Sequence, residues 1–231
     1  MGASGPGCIC LAWRRPPDGP RLAFVTGMTP KIGAVILAAG RASRFGRNKL
    51  LEPLDGKAML RHVAEAALAS RADPVIVVSG NETRKIRDML APLPLIFCEN
   101  PDFAMGLSTS LKLGVKALPE DCDGVLVLLG DMPGVDAPLI DAMIAAFDPG
   151  RSRAIVVAAR QGRRGNPVLW GRQFFTQIAG LSGDAGARSL FEHFDGLVFE
   201  VEAGHDGPVT DIDTQEALAA YLARRPQAAE R

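Results

Sequence analysis

Short apolar segments alternate with amphipathic ones along most of the chain, and this alternation limits the fold more than any other feature. IGAVILA (Ile32–Ala38) and GVLVLL (Gly124–Leu129) contain no charged residue, as expected of strands that helices cover on both faces. Between them, apolar residues recur at helical spacing over residues 58–70. The pattern predicts an α/β fold with a doubly wound, mostly parallel sheet flanked by helices.

The same reasoning gives bounds for the individual elements. The expected strands cover residues 32–38, 74–79, 95–98, 124–129, 154–159 and 197–201, and the expected helices cover residues 58–70, 82–90, 108–117, 138–147 and 214–224. After residue 160 the rhythm changes, and residues 161–166 are predicted to form a turn that leads into the apolar segment PVLW. We expect this part to add a small antiparallel piece at the edge of the sheet.

Residues 1–30 are rich in Gly and Pro and show no periodic pattern, so we predict a flexible N-terminal extension followed by one domain over residues 31–231. The extension lacks the apolar core of a signal peptide, and an upstream start before Met28 or a junction from a longer chain are both open. No apolar run reaches the roughly 18 residues that span a bilayer. Lys plus Arg and Asp plus Glu are equal at 26 each, which gives no indication of a nucleic-acid partner. We therefore predict a cytoplasmic protein without a membrane or nucleic-acid partner.

The loop after the first strand carries small and cationic residues. Residues 37–49 read LAAGRASRFGRNK, in which Arg44 and Lys49 follow three residues that let a ligand approach the backbone: Ala38, Ala39 and Gly40. Ligands of open α/β sheets bind beyond the carboxyl ends of the strands. The loop is therefore predicted to hold a polyphosphate, although neither GxxxxGK[ST] nor GxGxxG is present. A basic surface loop without a ligand is the alternative interpretation.

Acidic residues follow a second buried strand and precede the last helix. Asp131, in GDMP, comes directly after Gly124–Leu129, and Asp211 and Asp213 lie two residues apart in TDIDT. Mg²⁺ prefers one or two carboxylates together with phosphate oxygens and water, which makes Asp131 a candidate metal ligand. The alternative is a turn aspartate that caps the helix beginning near Asp136.

A hydroxyl-rich segment begins a predicted helix. Gly106 is followed by Ser108, Thr109 and Ser110 in MGLSTSL, and we expect these hydroxyls to cap the helix and to face the same cleft as the free backbone N–H groups. A helix that is merely well capped is the alternative interpretation.

Residues 37–50 resemble the LAAGxSxRMGxxK signature of the MobA-like nucleotidyltransferases, which include molybdenum cofactor guanylyl- and cytidylyltransferases, with Phe45 in the place of Met. The resemblance extends over about residues 32–222 and implies a fold like that of nucleotide-diphospho-sugar transferases. It also implies that Gly40, Arg44 and Lys49 hold the triphosphate, and that the backbone from Leu37 through Ala38 to Ala39 faces the base.

Two further motifs resemble those of the same family. A GxSxSL element implies that Gly106, Ser108 and Ser110 close over the base and ribose. GDxP implies that Asp131 binds Mg²⁺, which Asp213 completes, so the expected catalytic residues are Arg44, Lys49 and Asp131.

Two segments resemble those that border the acceptor in this family. RRGNP contains Asn166, where His is more usual, and GDAGAR contains Arg188, which is expected near the acceptor phosphate. An ordinary helix start with a solvated Arg188 is the alternative.

The resemblance implies transfer of CMP from CTP to a phosphate acceptor, molybdopterin, with release of pyrophosphate; a molybdoenzyme client is then an expected partner. Ala39 goes with cytidylyl transfer, where Gly goes with guanylyl transfer, but Met132 replaces the Gln that many cytidylyl members carry. Guanylyl transfer and transfer to a sugar phosphate or methylerythritol phosphate are the alternatives. A non-catalytic carrier or chaperone of the molybdenum cofactor is an alternative of another class.

Overall fold

The computed structural model describes residues 29–40, 48–184 and 186–224. The strands are β1 (Ile32–Ala38), β2 (Pro53–Leu54), β3 (Lys57–Ala58), β4 (Val75–Ser79), β5 (Ile96–Glu99), β6 (Gly124–Leu129), β7 (Ile155–Arg160), β8 (Arg163–Gly171) and β9 (Val198–Glu202). The α-helices are α1 (Met59–Leu68), α2 (Thr83–Leu90), α3 (Leu107–Lys116), α4 (Ala137–Ala146), α5 (Phe175–Ala179), α6 (Phe191–Phe194) and α7 (Gln215–Arg224). The predicted extension up to residue 28 and Arg44 lie outside the described residues.

Seven of the strands form one sheet in the order β5-β4-β1-β6-β8-β7-β9, while β2 and β3 form a separate antiparallel pair. The pairs β1–β4, β1–β6, β4–β5 and β7–β9 are parallel, and β8 is antiparallel to both of its neighbours. The predicted fold class, a mostly parallel sheet flanked by helices, is confirmed.

The antiparallel strand β8 differs from the prediction in its extent and position. It begins at Arg163, so the turn that was expected over residues 161–166 is limited to Gln161 and Gly162. It lies between β6 and β7, and the edge position belongs to β9, which runs parallel to β7. The apolar half of β8 is buried, which favours an interior place for the strand.

Helices cover both faces of the sheet. Alternate residues of β1 contribute to two separate apolar clusters, with Ile36 in one and Leu37 in the other, as the period of two in a strand requires. Residues of α1, α2 and α4 belong to the Ile36 cluster, and residues of α3 and α5 belong to the Leu37 cluster. The sheet is therefore the middle layer of three, and its polar sites are limited to the strand ends.

Within the described ranges, no helix has the length and apolar character needed to cross a membrane.

Candidate active site

A cavity of about 600 Å³ lies at the carboxyl ends of β1 and β6. We call it the nucleotide cavity, after the ligand that the sequence predicts for it. It is lined by Leu37, Ala39, Gly40, Asn48, Lys49, Leu50, Phe103, Ala104, Gly106, Leu107, Ser110, Leu129, Asp131 and Asp184. The structure thus brings together seven of the residues predicted from the sequence: Leu37, Ala39, Gly40, Lys49, Gly106, Ser110 and Asp131. Ala38 instead directs its side chain into the core, which leaves only its backbone for a ligand.

Lys49 is held at the start of a short 3₁₀ helix, Lys49–Leu51. The buried side chain of Asn48 caps this helix, because its Oδ1 accepts a hydrogen bond of 3.2 Å from the backbone N–H of Leu50. At the other end, the Glu52 N–H donates to the Lys49 carbonyl at 3.1 Å. The capped turn fixes the backbone from which the Lys49 side chain reaches into the cavity.

The ammonium group of Lys49 bridges two aspartates that are distant in sequence. Its Nζ lies 2.6 Å from Asp131 Oδ2 and 2.5 Å from Asp213 Oδ1. The Lys49 side chain is 15% exposed, against 21% for Asp131 and 43% for Asp213. Burial lowers the pKa of Lys49, but the two carboxylates outweigh it, and the pKa is raised above the ordinary value. Lys49 is therefore charged at neutral pH.

Backbone hydrogen bonds hold the two aspartates in place. The Gly130 N–H donates to the Leu37 carbonyl at 3.0 Å, which joins the ends of β6 and β1. The buried Ile212 donates its N–H to the Asp131 carbonyl at 3.1 Å, which sets the segment carrying Asp213 beside β6. Thr214 then caps α7, since its Oγ1 accepts from the Ala217 N–H at 3.1 Å.

The Asp131 and Asp213 carboxylates fit the requirements of a divalent cation. Their oxygens converge on one position that already holds positive charge, the Lys49 ammonium. In the described ranges, no group of three or more His, Cys, Asp and Glu side chains is arranged to hold a metal ion. A cation bound by these two carboxylates would take its other ligands from phosphate oxygens and water, as Mg²⁺ commonly does.

Asp131 does not cap α4, which was the alternative role for it. Asp136 caps that helix, with its carboxylate accepting from the Leu139 N–H at 3.0 Å. Asp131 is thus available to the cavity.

The GLSTSL segment departs from the expected capping arrangement. Gly106 is the N-cap of α3, and no side chain caps the helix. Ser108 is buried, its Oγ has no hydrogen-bond partner, and it does not line the cavity. Its hydroxyl does not face the cleft because the first turn of α3 directs it into the protein.

Asn100 supports this segment, and this residue was not predicted from the sequence. Its buried amide donates to Thr109 Oγ1 and Ser110 Oγ, each at 2.8 Å, while its Oδ1 accepts from the Asp102 N–H at 3.0 Å. The one sequence feature that could have indicated Asn100 is its position in ENPDF, immediately after β5. Phe103 and Asp184 were also missed, and both line the nucleotide cavity.

A second cavity, of about 300 Å³, adjoins the first. We call it the acceptor-side cavity, and it is lined by Leu37, Leu107, Leu111, Val127, Leu129, Asn166, Val168, Trp170, Gly186, Ala187, Arg188 and Ser189. Three leucines line both cavities: Leu37, Leu107 and Leu129. The structure therefore places Asn166 and Arg188 together, one leucine wall away from the nucleotide cavity.

Arg188 is exposed as a residue, although protein atoms surround part of its guanidinium group. This desolvation and the nearby Arg163 lower the pKa of Arg188, which Asp211 partly offsets. Arginine stays charged in proteins, so the acceptor-side cavity carries a positive charge that could bind an anion.

A family model of the MobA-like NTP transferase domain matches residues 34–198. The chain belongs to the MobA-like NTP transferase family. It is 31% identical over 198 residues to the purine catabolism protein PucB of Bacillus subtilis, across 81% of this chain and 94% of that protein. It is 28% identical over 201 residues to the nicotine blue oxidoreductase of Paenarthrobacter nicotinovorans, across 84% and 97% of the two chains.

Solved structures show the same fold. A nucleotidyl transferase from Methanothermobacter thermautotroptrophicus is 25% identical, with a TM-score of 0.74 over 84% of this chain and 96% of that one. Rv0371c from Mycobacterium tuberculosis, in complex with manganese, is 24% identical, with a TM-score of 0.70 over 84% of this chain and all of that one. This chain is accordingly a nucleotidyltransferase of the MobA-like type.

Proposed function

We propose that this protein transfers CMP from CTP to the phosphate group of molybdopterin, in a Mg²⁺-dependent reaction that releases pyrophosphate. The observation that carries the proposal is the grouping of Lys49, Asp131 and Asp213 at the carboxyl ends of β1 and β6. A nucleoside triphosphate requires a cationic group for its phosphates, and its metal ion requires carboxylates. Both kinds of group meet in this cavity.

Asp131 and Asp213 are the residues that would hold Mg²⁺. When bound, the ion neutralises charge that develops on the phosphate oxygens. Lys49, together with Arg44, would bind the β- and γ-phosphates and stabilise the pyrophosphate as it leaves. The triphosphate offers Lys49 a new anionic partner in place of the two carboxylates.

The reaction needs no general base from the protein. An oxygen of the acceptor phosphate, already ionised at neutral pH, forms a bond to the α-phosphorus of CTP. The bond from the α-phosphorus to the bridging oxygen breaks, and pyrophosphate takes the electron pair. The enzyme's part is to align the two phosphates and to neutralise charge. Arg188, which lines the acceptor-side cavity, would hold the acceptor phosphate.

The walls of the acceptor-side cavity support a flat, heteroaromatic acceptor. Apart from Asn166, Arg188 and Ser189, its lining is apolar or glycine and includes Trp170. A sugar phosphate would bring several hydroxyl groups, and burying these against apolar walls without hydrogen bonds is costly. A pterin ring can pack its two faces on these walls, while the polar groups at its edge would meet Asn166, Arg188, Ser189 or solvent.

The wall of the nucleotide cavity at Ala39 supports the choice of CTP. Ala39 lines the cavity and is almost fully buried, so its methyl group takes space that a glycine would leave open. A pyrimidine needs less room there than a purine. Mismatches of this size are worth about 1–3 kcal/mol.

Pyrophosphate release tests the proposal directly. The protein is mixed with Mg²⁺, CTP and molybdopterin, and pyrophosphate is measured with each component omitted in turn. We expect release only from the complete mixture and at least about 10-fold faster with CTP than with GTP. Release with a sugar phosphate but not with molybdopterin would overturn the acceptor assignment. Binding of molybdopterin without turnover would indicate a carrier.

A further inference from the structure

The two cavities are joined by a backbone contact between segments far apart in sequence. Gly106, which lines the nucleotide cavity, packs so closely on Gly183 that a Cβ atom at residue 106 would lie 2.3 Å from the carbonyl carbon and oxygen of Gly183. In the first turn of α3, the Ser108 N–H donates a hydrogen bond of 3.1 Å to the same Gly183 carbonyl. We call this contact the glycine clasp, formed by Gly106, Ser108 and Gly183.

The two segments that meet at the clasp lead to both cavities. Phe103 and Ala104 precede Gly106 and line the nucleotide cavity, as does Asp184 on the opposite side of the contact. Shortly after Gly183, the 3₁₀ helix Ala187–Leu190 carries Arg188 into the acceptor-side cavity. The clasp is therefore a direct backbone contact between a segment that lines the nucleotide cavity and a segment that leads to Arg188.

We propose that Gly183 is a positioning residue that couples nucleotide binding to the placement of Arg188. The proposal rests on the proposed function in one respect, namely that a nucleotide occupies the nucleotide cavity. The nucleotide fixes the segment around Gly106, and the glycine clasp then fixes the acceptor segment. Acceptor binding is expected to be stronger once the nucleotide is bound, because the nucleotide has already ordered the acceptor segment and the acceptor does not bear that entropy cost again.

Gly183 allows the coupling to be broken without adding atoms to either cavity. Its φ of +62° lies in the left-handed region, and a Cβ atom placed on it would meet nothing within 4 Å. A β-branched residue strongly disfavours this conformation, so Gly183→Val should move the backbone out of the clasp. Gly56 matches it as a control, with φ of +78° and equally open space, in the turn between β2 and β3.

Trp170 provides a signal from the acceptor side in the absence of any acceptor. It is buried, lines the acceptor-side cavity but not the nucleotide cavity, and stacks on Phe191 with ring centroids 5.3 Å apart. Phe191 directly follows the 3₁₀ helix that carries Arg188. The chain has one other tryptophan, Trp13, so Trp13→Phe makes the emission specific to Trp170.

The experiment titrates full-length Trp13→Phe protein with CTP and Mg²⁺, and measures Trp170 emission beside binding by calorimetry. We expect the emission to change with the same midpoint as binding, both in this parent and after Gly56→Val. After Gly183→Val, CTP should still bind within about 3-fold of the parent affinity while the emission change is lost. In turnover, Gly183→Val should raise the KM for the acceptor by about 5-fold or more, with the KM for CTP little changed.

Each other result decides the question. CTP binding without an emission change in the parent, or an unchanged response after Gly183→Val, would overturn the coupling and leave the proposed function standing. If GTP binds in place of CTP, the titration is made with GTP and decides the coupling in the same way. If neither nucleotide binds, the proposed function is refuted and the coupling with it. Gly183→Ala, which has a smaller conformational penalty, replaces Gly183→Val if the latter does not fold.

Discussion

Replacing Lys49 by Met removes the cation that lies between two carboxylates, and its cost can be worked out from the contacts. The pair with Asp131 is mostly buried, at 15% and 21% exposure, whereas Asp213 is 43% exposed. Breaking a fully buried pair costs about 3–5 kcal/mol, and an exposed pair contributes about 0–1 kcal/mol. We expect an intermediate loss of about 2 kcal/mol, and so a Tm lower by about 4–8 °C for a domain of this size.

The assay is thermal unfolding with and without a divalent cation. Without metal, the Lys49→Met variant has two carboxylates facing each other with no cation between them. Mn²⁺ or Mg²⁺ can replace the ammonium group, so the metal should raise the Tm of the variant more than that of the wild type, where Lys49 competes for the same oxygens. The variant should also lose most of its activity, since it lacks the proposed phosphate ligand.

Lys57→Met is the matched control. Lys57 pairs with Glu65 at 2.7 Å, a similar distance, but the side chains are 50% and 30% exposed. We expect a change below about 1 kcal/mol and no difference in the response to metal. A Lys49→Met variant that melts within about 2 °C of the wild type, or gains no more from Mn²⁺, would refute the reasoning.

The pH dependence of this stabilisation follows from the raised pKa of Lys49. A raised pKa gives stabilisation that is fully present below the unfolded pKa of lysine, about 10.4, and is lost as the pH rises through the folded pKa. The Tm difference between the wild type and Lys49→Met should therefore be constant from about pH 7 to 9. A difference that disappears within that window would mean that Lys49 is not the charged partner.

Three further predictions concern the metal, the base and the N-terminal residues. Asp131→Asn should leave less than about a tenth of the activity at saturating Mg²⁺ with the fold intact, whereas Asp136→Asn should stay active, because Asn also caps a helix well. Ala39→Gly should raise kcat/KM for GTP relative to CTP by about 10-fold, and an unchanged ratio would exclude Ala39 from base selection. A chain starting at Met28 should keep its activity and melt within a few degrees of the full chain; a loss of about 10 °C would place the domain boundary further upstream.

The parallel strands of the main sheet were predictable from the sequence because their signal is local. A run without charged residues can be buried on both faces, and the observed bounds of β1 and β6 match the predicted ones. Helix bounds agree within a few residues for the same reason, because the apolar face of each helix is formed by residues that recur every three or four positions in the sequence. The carboxyl-end rule then predicted that Asp131 faces a ligand cavity, and it lines the nucleotide cavity.

The remaining features depend on contacts between distant segments. Lys49 is separated from Asp131 by 82 residues and from Asp213 by 164, so no local pattern could place them together, and Asp213 was identified through a family resemblance. The support given by Asn100 and the burial of Ser108 depend on how α3 packs. The closeness of Gly106 to Gly183 is likewise a property of the folded chain alone.

The antiparallel direction of β8 explains why two cavities meet at one edge of the sheet. Val168 pairs with Val127, and because β8 runs antiparallel to β6, the chain before Val168, with Asn166, lies toward the carboxyl end of β6 at Leu129. Both Asn166 and Leu129 accordingly line the acceptor-side cavity. A parallel strand in this position would begin at the opposite edge, about 20 Å away for six residues. The inversion of one interior strand thus brings Asn166 close to the nucleotide cavity, an arrangement that the proposed in-line transfer between two phosphates requires.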